Sequence, residues 1–186
     1  RLTDNFIITD NRDESVQRPA LSPDYYQEMG TRLFYPKDIV SGGTWFGLGK
    51  MKRLVCLMNG AFKPHKRTGN YRKSRGIVVK EFLSAKDFYY EMKNYDFDGI
   101  EPFYAIVFSW ANKTEIREII WDGQVPTFQI VNPELPQIWA AAMTYSPEQY
   151  QIKKKQFNDL INEGLQHKDV SDSLWQLHHS KEADEQ

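Results

Sequence analysis

Three apolar segments in the middle of the chain follow one another with only short turns between them. Phe103–Trp110 is a nearly continuous apolar run, typical of a buried strand, and Glu115–Trp121 alternates roughly between apolar and polar residues. Asp122-Gly123 is a turn signal that leads into a third segment, Thr127–Val131. Pro126 lacks a backbone N–H and is expected at a strand start or edge. Because tight turns join antiparallel neighbours, these segments predict an antiparallel sheet.

Further strands are predicted on both sides of this region. Thr44–Leu48 and Arg53–Met58 are rich in β-forming residues and are separated by a short turn, which predicts a hairpin. Residues 18–43 hold three prolines and a Gly-Gly pair, so we expect mostly loop there, with one short strand at Arg32–Tyr35. Phe6–Thr9 and Ile138–Met143 are predicted as two additional short strands.

Capping signals predict the helices. Ser74–Leu83 is expected to be helical, and Ser84 followed by Asp87 has the spacing of a capping box that opens a second helix. Ser146-Pro147-Glu148-Gln149 combines an N-cap, a first-turn proline and a glutamine at the third helical position. The predicted helices cover residues 74–83, 84–94, 147–163 and 171–177. Antiparallel strands with helices grouped in pairs predict an α+β domain.

Composition limits the function classes. The chain has 186 residues, 40% of them hydrophobic, which is enough for one domain with a real core. Its net charge of −1 argues against a dedicated nucleic-acid binder. No apolar run reaches the ~20 residues that a transmembrane helix requires. Cys56 is the only cysteine, which excludes an internal disulfide and fits a reducing compartment, so we expect a cytoplasmic protein.

A polar cluster, Asn11-Arg12-Asp13-Glu14, directly follows the predicted strand Phe6–Thr9. An arginine flanked by two carboxylates is either a solvated turn or a fixed set of ion pairs that faces a pocket. The residues alone leave both interpretations open.

Several short motifs follow this cluster in a fixed order. They are Gly42-Gly43-Thr44-Trp45-Phe46-Gly47, Val55-Cys56-Leu57-Met58-Asn59-Gly60 and Ser74-Arg75-Gly76. In this order and spacing the set resembles the NRDE family, also called the transport and Golgi organization protein 2 family. The resemblance runs from about Phe6 to Ser180. It implies a fold similar to that of N-terminal nucleophile hydrolases, an αββα sandwich of two antiparallel sheets between helical layers.

The resemblance also implies an activity. In cysteine-type N-terminal nucleophile hydrolases the first residue of the mature chain attacks the substrate, and its own α-amino group is the base. The family pattern places this cysteine after the initiator methionine, whereas the present sequence begins at Arg1, which cannot be a nucleophile. We therefore expect a single domain over residues 1–186 that lacks a short N-terminal strand and some C-terminal strands. The implied activity is amide hydrolysis or acyl transfer.

Site residues follow from the same resemblance. Arg12 would lie beside the nucleophile and lower the thiol pKa, and Asp13 would orient the free amine. Asn59 would be the oxyanion-hole asparagine. The residues expected to bind substrate are Asn11, Glu14, Thr44, Trp45 and Arg75. Each also has a plainer interpretation, since Arg12 and Asp13 would tie a loop to a sheet edge equally well, and Asn59-Gly60 is a common turn dipeptide.

Two alternatives stay open. The first is a non-catalytic protein that binds or carries a hydrophobic anionic ligand such as heme or an acyl lipid, and the second is a secretion or Golgi-organization factor. His178-His179 invites a metal or heme interpretation, but adjacent helical side chains point about 100° apart and share one ion poorly. We expect no resident metal or cofactor. Residues 63–75 carry six Lys or Arg and predict a solvated basic loop. Cys56, in the middle of a strand, is expected to be a small core residue and not the nucleophile.

Overall fold

Seven antiparallel strands follow one another in chain order and form a single sheet in which each strand pairs with its sequence neighbours. The computed structural model describes residues 6–12, 14–15, 17–163 and 170–179. The strands are β1 (Ala20–Glu28), β2 (Thr31–Asp38), β3 (Phe46–Gly49), β4 (Arg53–Asn59), β5 (Phe103–Ser109), β6 (Glu115–Trp121) and β7 (Pro126–Val131). The described ranges also contain the helices α1 (Arg75–Ser84), α2 (Phe88–Asn94), α3 (Pro147–Asn162) and α4 (Val170–His178). The predicted α+β class is confirmed, and all strands of the described ranges belong to this one sheet.

The strands of the central region match their predictions. The β3–β4 hairpin is present, and β5, β6 and β7 form the predicted antiparallel run. Pro126 is the first residue of β7 and pairs with Trp121, the last residue of β6. A proline is tolerated there because a strand end needs fewer ladder hydrogen bonds than a strand interior.

The prediction of mostly loop for residues 18–43 is wrong. These residues form the β1–β2 hairpin, which turns at Met29-Gly30 with φ of 50° and 73°. Two successive positive φ values give the turn whose twist suits a two-residue hairpin. Pro23 and Pro36 do not break the strands because both fall between the Leu21–Lys37 and Asp24–Tyr35 pairs, where the register is interrupted.

Two other predicted strands are also wrong. Phe6–Thr9 has no regular structure, and Phe6, Ile7 and Ile8 are 37–45% exposed, so these apolar residues do not belong to the buried core of the described ranges. Ile138–Met143 is irregular as well. Its centre is three consecutive alanines, which favour strands weakly and offer little surface for cross-strand packing.

Helix starts agree with the capping signals except at α2. Ser74 caps α1 by accepting from the Gly76 N–H, and Ser146 with Gln149 forms the predicted capping box of α3. The N-cap of α2 is Asp87, which accepts from Tyr90 N–H, and not Ser84, which is still the last residue of α1.

The described chain divides into two compact units. The larger comprises the described residues 14–15, 17–135 and 141–143 and holds the sheet with α1 and α2. Its core lies between α1 and the sheet, where Val78, Val79, Phe82 and Leu83 are fully buried. The smaller comprises the described residues 6–12, 136–140, 144–163 and 170–179 and holds α3 and α4. The expectation of a single domain stays a prediction.

A buried ion pair joins α1 to the first hairpin of the larger unit. Lys80 is 4% exposed, and its Nζ lies 2.5 Å from Glu28 Oε2 and donates to Gly42 O at 2.6 Å. The Tyr35 hydroxyl donates to the same carboxylate. Burial alone would raise the pKa of Glu28, but the hydrogen bonds from Lys80 and Tyr35 outweigh burial and lower it. The charges of the pair therefore stabilise the fold only while Glu28 is ionised.

We expect the protein to lose stability in acid for this reason. A carboxylate whose pKa is lower in the folded than in the unfolded chain contributes stability above its unfolded pKa of ~4, and this contribution is lost as the pH falls through the folded pKa. Urea unfolding at several pH values should show Glu28→Gln less stable than wild type near neutrality. The difference should shrink as the solution is acidified, and a constant difference across the acid range would contradict the assignment.

Candidate functional site

Several of the predicted site residues meet where β4 ends, β5 begins and α1 starts. Asn59 is the last residue of β4 and pairs with Phe103, the first residue of β5. Directly after it, the Gly60 N–H donates to Pro102 O at 3.2 Å. The Asn59 side chain is half-buried, and it makes no side-chain hydrogen bond within the ranges that the structure describes. The Asn59 amide therefore lies at this end of the sheet, beside the hydrogen bond between Gly60 and Pro102.

Arg75 reaches the same point from α1. It is the first residue of the helix, and its Nη1 donates to Pro102 O at 3.1 Å while its Nη2 lies 3.2 Å from Glu101 Oε2. The side chain is only 12% exposed. Burial lowers the pKa of Arg75, and the charge of Glu101 opposes that shift. Pro102 O therefore accepts from both Gly60 and Arg75, which fixes the backbone beside Asn59.

Glu101 is the centre of a group of charges that the sequence did not predict. Besides Arg75, it contacts Arg67, whose Nε lies 3.0 Å from Oε1, and His65, whose Nε2 lies 3.1 Å from the same oxygen. A signal for Glu101 was present, since it lies two residues before β5, the strand whose first residue pairs with Asn59. His65 carried no such signal, because it lies in the basic loop between β4 and α1.

The glycine-containing motifs contact one another directly. The Thr44 N–H faces Gly76 O at 3.5 Å, and a Cβ at Gly76 would lie 2.7 Å from Thr44 N and 2.9 Å from Gly43 Cα. The atoms in the way are backbone, so the start of α1 approaches this loop only because both positions are glycine. This contact brings Thr44 and Arg75 to the same end of the sheet.

Thr44 and Trp45 are held by their own surroundings. Thr44 is 3% exposed, and its hydroxyl donates to Phe46 O at 2.7 Å and accepts from Phe46 N at 3.2 Å. Trp45 is half-buried, and its carbonyl accepts from Leu57 N–H at 2.7 Å. The Thr44 hydroxyl therefore shapes the loop, and Trp45 ties that loop to β4.

Glu14 belongs to the larger unit as well. Its carboxylate forms an ion pair with Arg18 at 2.7 Å, and Arg18 Nε in turn lies 2.8 Å from Asp38 Oδ2. The charge of Glu14 also acts on Arg75, which it helps to keep protonated. Asp13, expected to orient the nucleophile, lies outside the described residues.

Asn11 and Arg12 lie in the smaller unit. Arg12 is half-buried, and Asn11 lines a cleft of about 270 Å³. The lining residues are Thr9, Asp10, Asn11, Ser171, Trp175, His178 and His179.

The two histidines of this cleft have different partners. His178 Nε2 lies 2.9 Å from Thr9 Oγ1, and burial lowers the pKa of His178. His179 Nδ1 donates to Trp175 O at 2.8 Å, and its ring packs 4.3 Å from the Trp175 ring. Across the described ranges, no group of three His, Cys, Asp or Glu side chains is placed to hold a metal ion.

The chain matches one known family over almost its whole length. The family model described as transport and Golgi organisation 2 matches residues 3–186. The chain belongs to the transport and Golgi organisation 2 family. The resemblance inferred from the motifs is thereby confirmed. A comparison with curated proteins found no match. None of the helices described for this family member combines the length and apolarity that crossing a membrane requires.

Proposed function

We propose that this member of the family hydrolyses amides or transfers acyl groups, and that Asn59 donates a hydrogen bond to the substrate carbonyl. One observation supports this most directly. The Asn59 amide stands at the end of β4 without a side-chain partner in the described ranges, next to a backbone that Gly60, Pro102 and Arg75 hold in place. A fixed side-chain amide is the type of donor that stabilises negative charge on a carbonyl oxygen.

The reaction follows the N-terminal nucleophile scheme that the family resemblance implies. In that scheme the thiol of an N-terminal cysteine would give its proton to the α-amine, and the sulfur would attack the carbonyl carbon. Negative charge develops on the oxygen that faces Asn59. The C–N bond then breaks, the leaving amine takes the proton, and water or another acceptor resolves the thioester. The resemblance implies that Arg12 would lower the pKa of this cysteine and that Asp13 would orient its amine.

Cys56 is not assigned a role in this reaction. It lies in the middle of β4, opposite Phe46 of β3 and Ile106 of β5. Its side chain is half-buried and does not belong to the buried core, so the expected core position is not found. Brief iodoacetamide treatment of the folded, full-length native protein should label an N-terminal cysteine, activated by its α-amine, faster than Cys56. Faster labelling of Cys56 would count against the proposal.

Arg75 is assigned a positioning role. The resemblance implies a substrate-binding role for Arg75, whereas its guanidinium is directed at Glu101 and Pro102. Through Pro102 it holds the backbone beside Asn59, so its effect on a substrate is exerted through that residue.

Substitution of Asn59 tests the proposal. In the full-length protein, Asn59→Ala should lower kcat/KM for a responsive N-acyl anilide by about 100-fold, the usual effect of losing one oxyanion-hole donor. Asn112→Ala, at an exposed loop position, is the control and should leave kcat/KM unchanged. Equal rates for wild type and Asn59→Ala would remove Asn59 from the mechanism.

A second candidate function is the carriage of a hydrophobic anionic ligand such as heme or an acyl lipid. The cleft of the smaller unit favours it, because Trp175 is 67% exposed there and offers a flat apolar surface. Titration of the full-length protein with heme or acyl-coenzyme A should then quench tryptophan fluorescence. The quenching should weaken in Trp175→Phe and persist in Trp110→Phe. The same quenching in both variants would exclude the cleft as the binding site.

A further inference from the structure

In the neutral His65 ring, the nitrogen that carries the proton is set by the hydrogen bond to Glu101. The His65 side chain is 17% exposed, and its Nε2 lies 3.1 Å from Glu101 Oε1. The Arg67 and Arg75 guanidinium groups contact the same carboxylate, and carboxylate oxygens only accept hydrogen bonds. The proton of the neutral ring is therefore on Nε2, and Nδ1 presents a lone pair.

That lone pair faces inward without a donor. His65 Nδ1 is buried from solvent and has no hydrogen-bond partner within the ranges that the structure describes. Buried acceptors are nearly always satisfied, and an exception calls for a bound donor or a functional explanation.

The backbone of His65 and Gly60, the residue after Asn59, both contact the side chain of Met143. The His65 N–H contacts Met143 Sδ at 3.3 Å. Met143 also covers Gly60, the residue after Asn59, since a Cβ at Gly60 would lie 2.9 Å from Met143 Cγ. One end of the sheet thus carries a fixed acceptor, His65 Nδ1, and an available donor, the Asn59 amide.

We propose that His65 Nδ1 accepts a hydrogen bond from the N–H of the substrate amide whose carbonyl oxygen Asn59 receives. This inference rests on the proposed function and narrows the substrate class to primary and secondary amides, against tertiary amides and esters. Glu101 acts through His65 as a positioning residue, because it fixes the tautomer that leaves Nδ1 as an acceptor.

Two ligands that differ in one N–H test the inference. N-methyloctanamide and N,N-dimethyloctanamide share the acyl chain and the carbonyl, but only the first can donate to Nδ1. In the full-length protein labelled with ¹⁵N, the free His65 ring should show an unprotonated Nδ1. N-methyloctanamide should shift this resonance and bind about tenfold more tightly than the dimethyl compound, the usual value of one neutral hydrogen bond.

Two variants distinguish the roles of the two ring nitrogens of His65. His65→Gln keeps a side-chain N–H for Glu101 and removes the Nδ1 acceptor, so it should bind the two amides equally. His65→Asn places a carbonyl oxygen near the Nδ1 position and should keep part of the preference. Thermal unfolding of each variant shows whether it is folded. If either variant is unfolded, the response of the wild-type His65 Nδ1 resonance to the two amides decides whether Nδ1 accepts the hydrogen bond.

The outcomes distinguish this inference from the proposed function. If both amides shift the Asn59 side-chain resonance and bind equally, the role of His65 is overturned while carbonyl binding at Asn59 stands. A protonated Nδ1 in the free protein, or an unchanged preference in His65→Gln, also overturns it. If neither amide binds and Asn59 does not respond, the inference and the proposed function fail together.

Discussion

Replacement of Arg53 by alanine is expected to lower the free energy of unfolding by about 3–5 kcal/mol, because a buried and a partly buried carbonyl would lose a charged donor. Arg53 is 6% exposed, and its Nη1 donates to Phe82 O at 2.6 Å and to Ala85 O at 2.9 Å. These carbonyls belong to the last turn and the C-cap of α1, which a helix cannot satisfy internally. The guanidinium also lies 4.6 Å from the Phe88 ring centre, an additional favourable contact.

Arg72 provides a matched control for this prediction. Its Nε and Nη2 also donate to backbone carbonyls, those of Asp98 and Asp96, but its side chain is 45% exposed. Water replaces such partners, so Arg72→Ala should cost less than about 1 kcal/mol. Urea titrations of both variants measure the difference. Equal losses would show that burial of Arg53 is not what makes its hydrogen bonds important.

Replacement of Phe82 by alanine is expected to lower the free energy of unfolding by about 3–5 kcal/mol as well, through loss of buried surface and a cavity. Phe82 is fully buried. Its ring packs edge-on against Phe88 at 5.7 Å and Tyr95 at 4.9 Å between ring centres, so a truncated side chain leaves aromatic edges without contacts.

Phe62→Ala is the control for the core substitution. Phe62 is 61% exposed, and its truncation should change the free energy of unfolding by no more than about 0.5 kcal/mol. A loss in Phe82→Ala close to that of Phe62→Ala would mean that the core around α1 collapses into the cavity, contrary to its dense packing.

Sequence motifs predicted those strands and helices whose ends are set by residues close to them in sequence. The β5–β7 run follows from continuous apolar residues and an Asp-Gly turn, and α3 follows from a capping box with proline at its first position. The β1–β2 hairpin was missed because Pro23 and Pro36 argue against strands unless the register is known. Only the three-dimensional pairing shows that both prolines fall where the ladder is already interrupted.

The site was predicted in part, for a similar reason. Asn59 and Arg75 were recognised from motifs, but their meeting at Pro102 depends on the pairing of β4 with β5 across the long segment that contains α1 and α2. His65 could not be found, because a histidine among lysines and arginines carries no pattern that distinguishes it from a solvated residue. What distinguishes it is a carboxylate 36 positions away in sequence.

The strand order of the sheet has a consequence for how the chain folds. Every strand pairs only with the strands immediately before and after it in sequence. Most of these pairings therefore close short loops and cost little chain entropy. The β4–β5 pairing is the exception, since it must close over the segment from Gly60 to Pro102. We therefore expect the β1–β4 and β5–β7 ladders to gain hydrogen-exchange protection early in refolding and the β4–β5 ladder to gain it last. If all three ladders gained protection at the same time in a pulse-labelling experiment, that order would be refuted. In the expected order, the proposed substrate-binding residue Asn59 takes its final position last, because it lies at the β4–β5 junction.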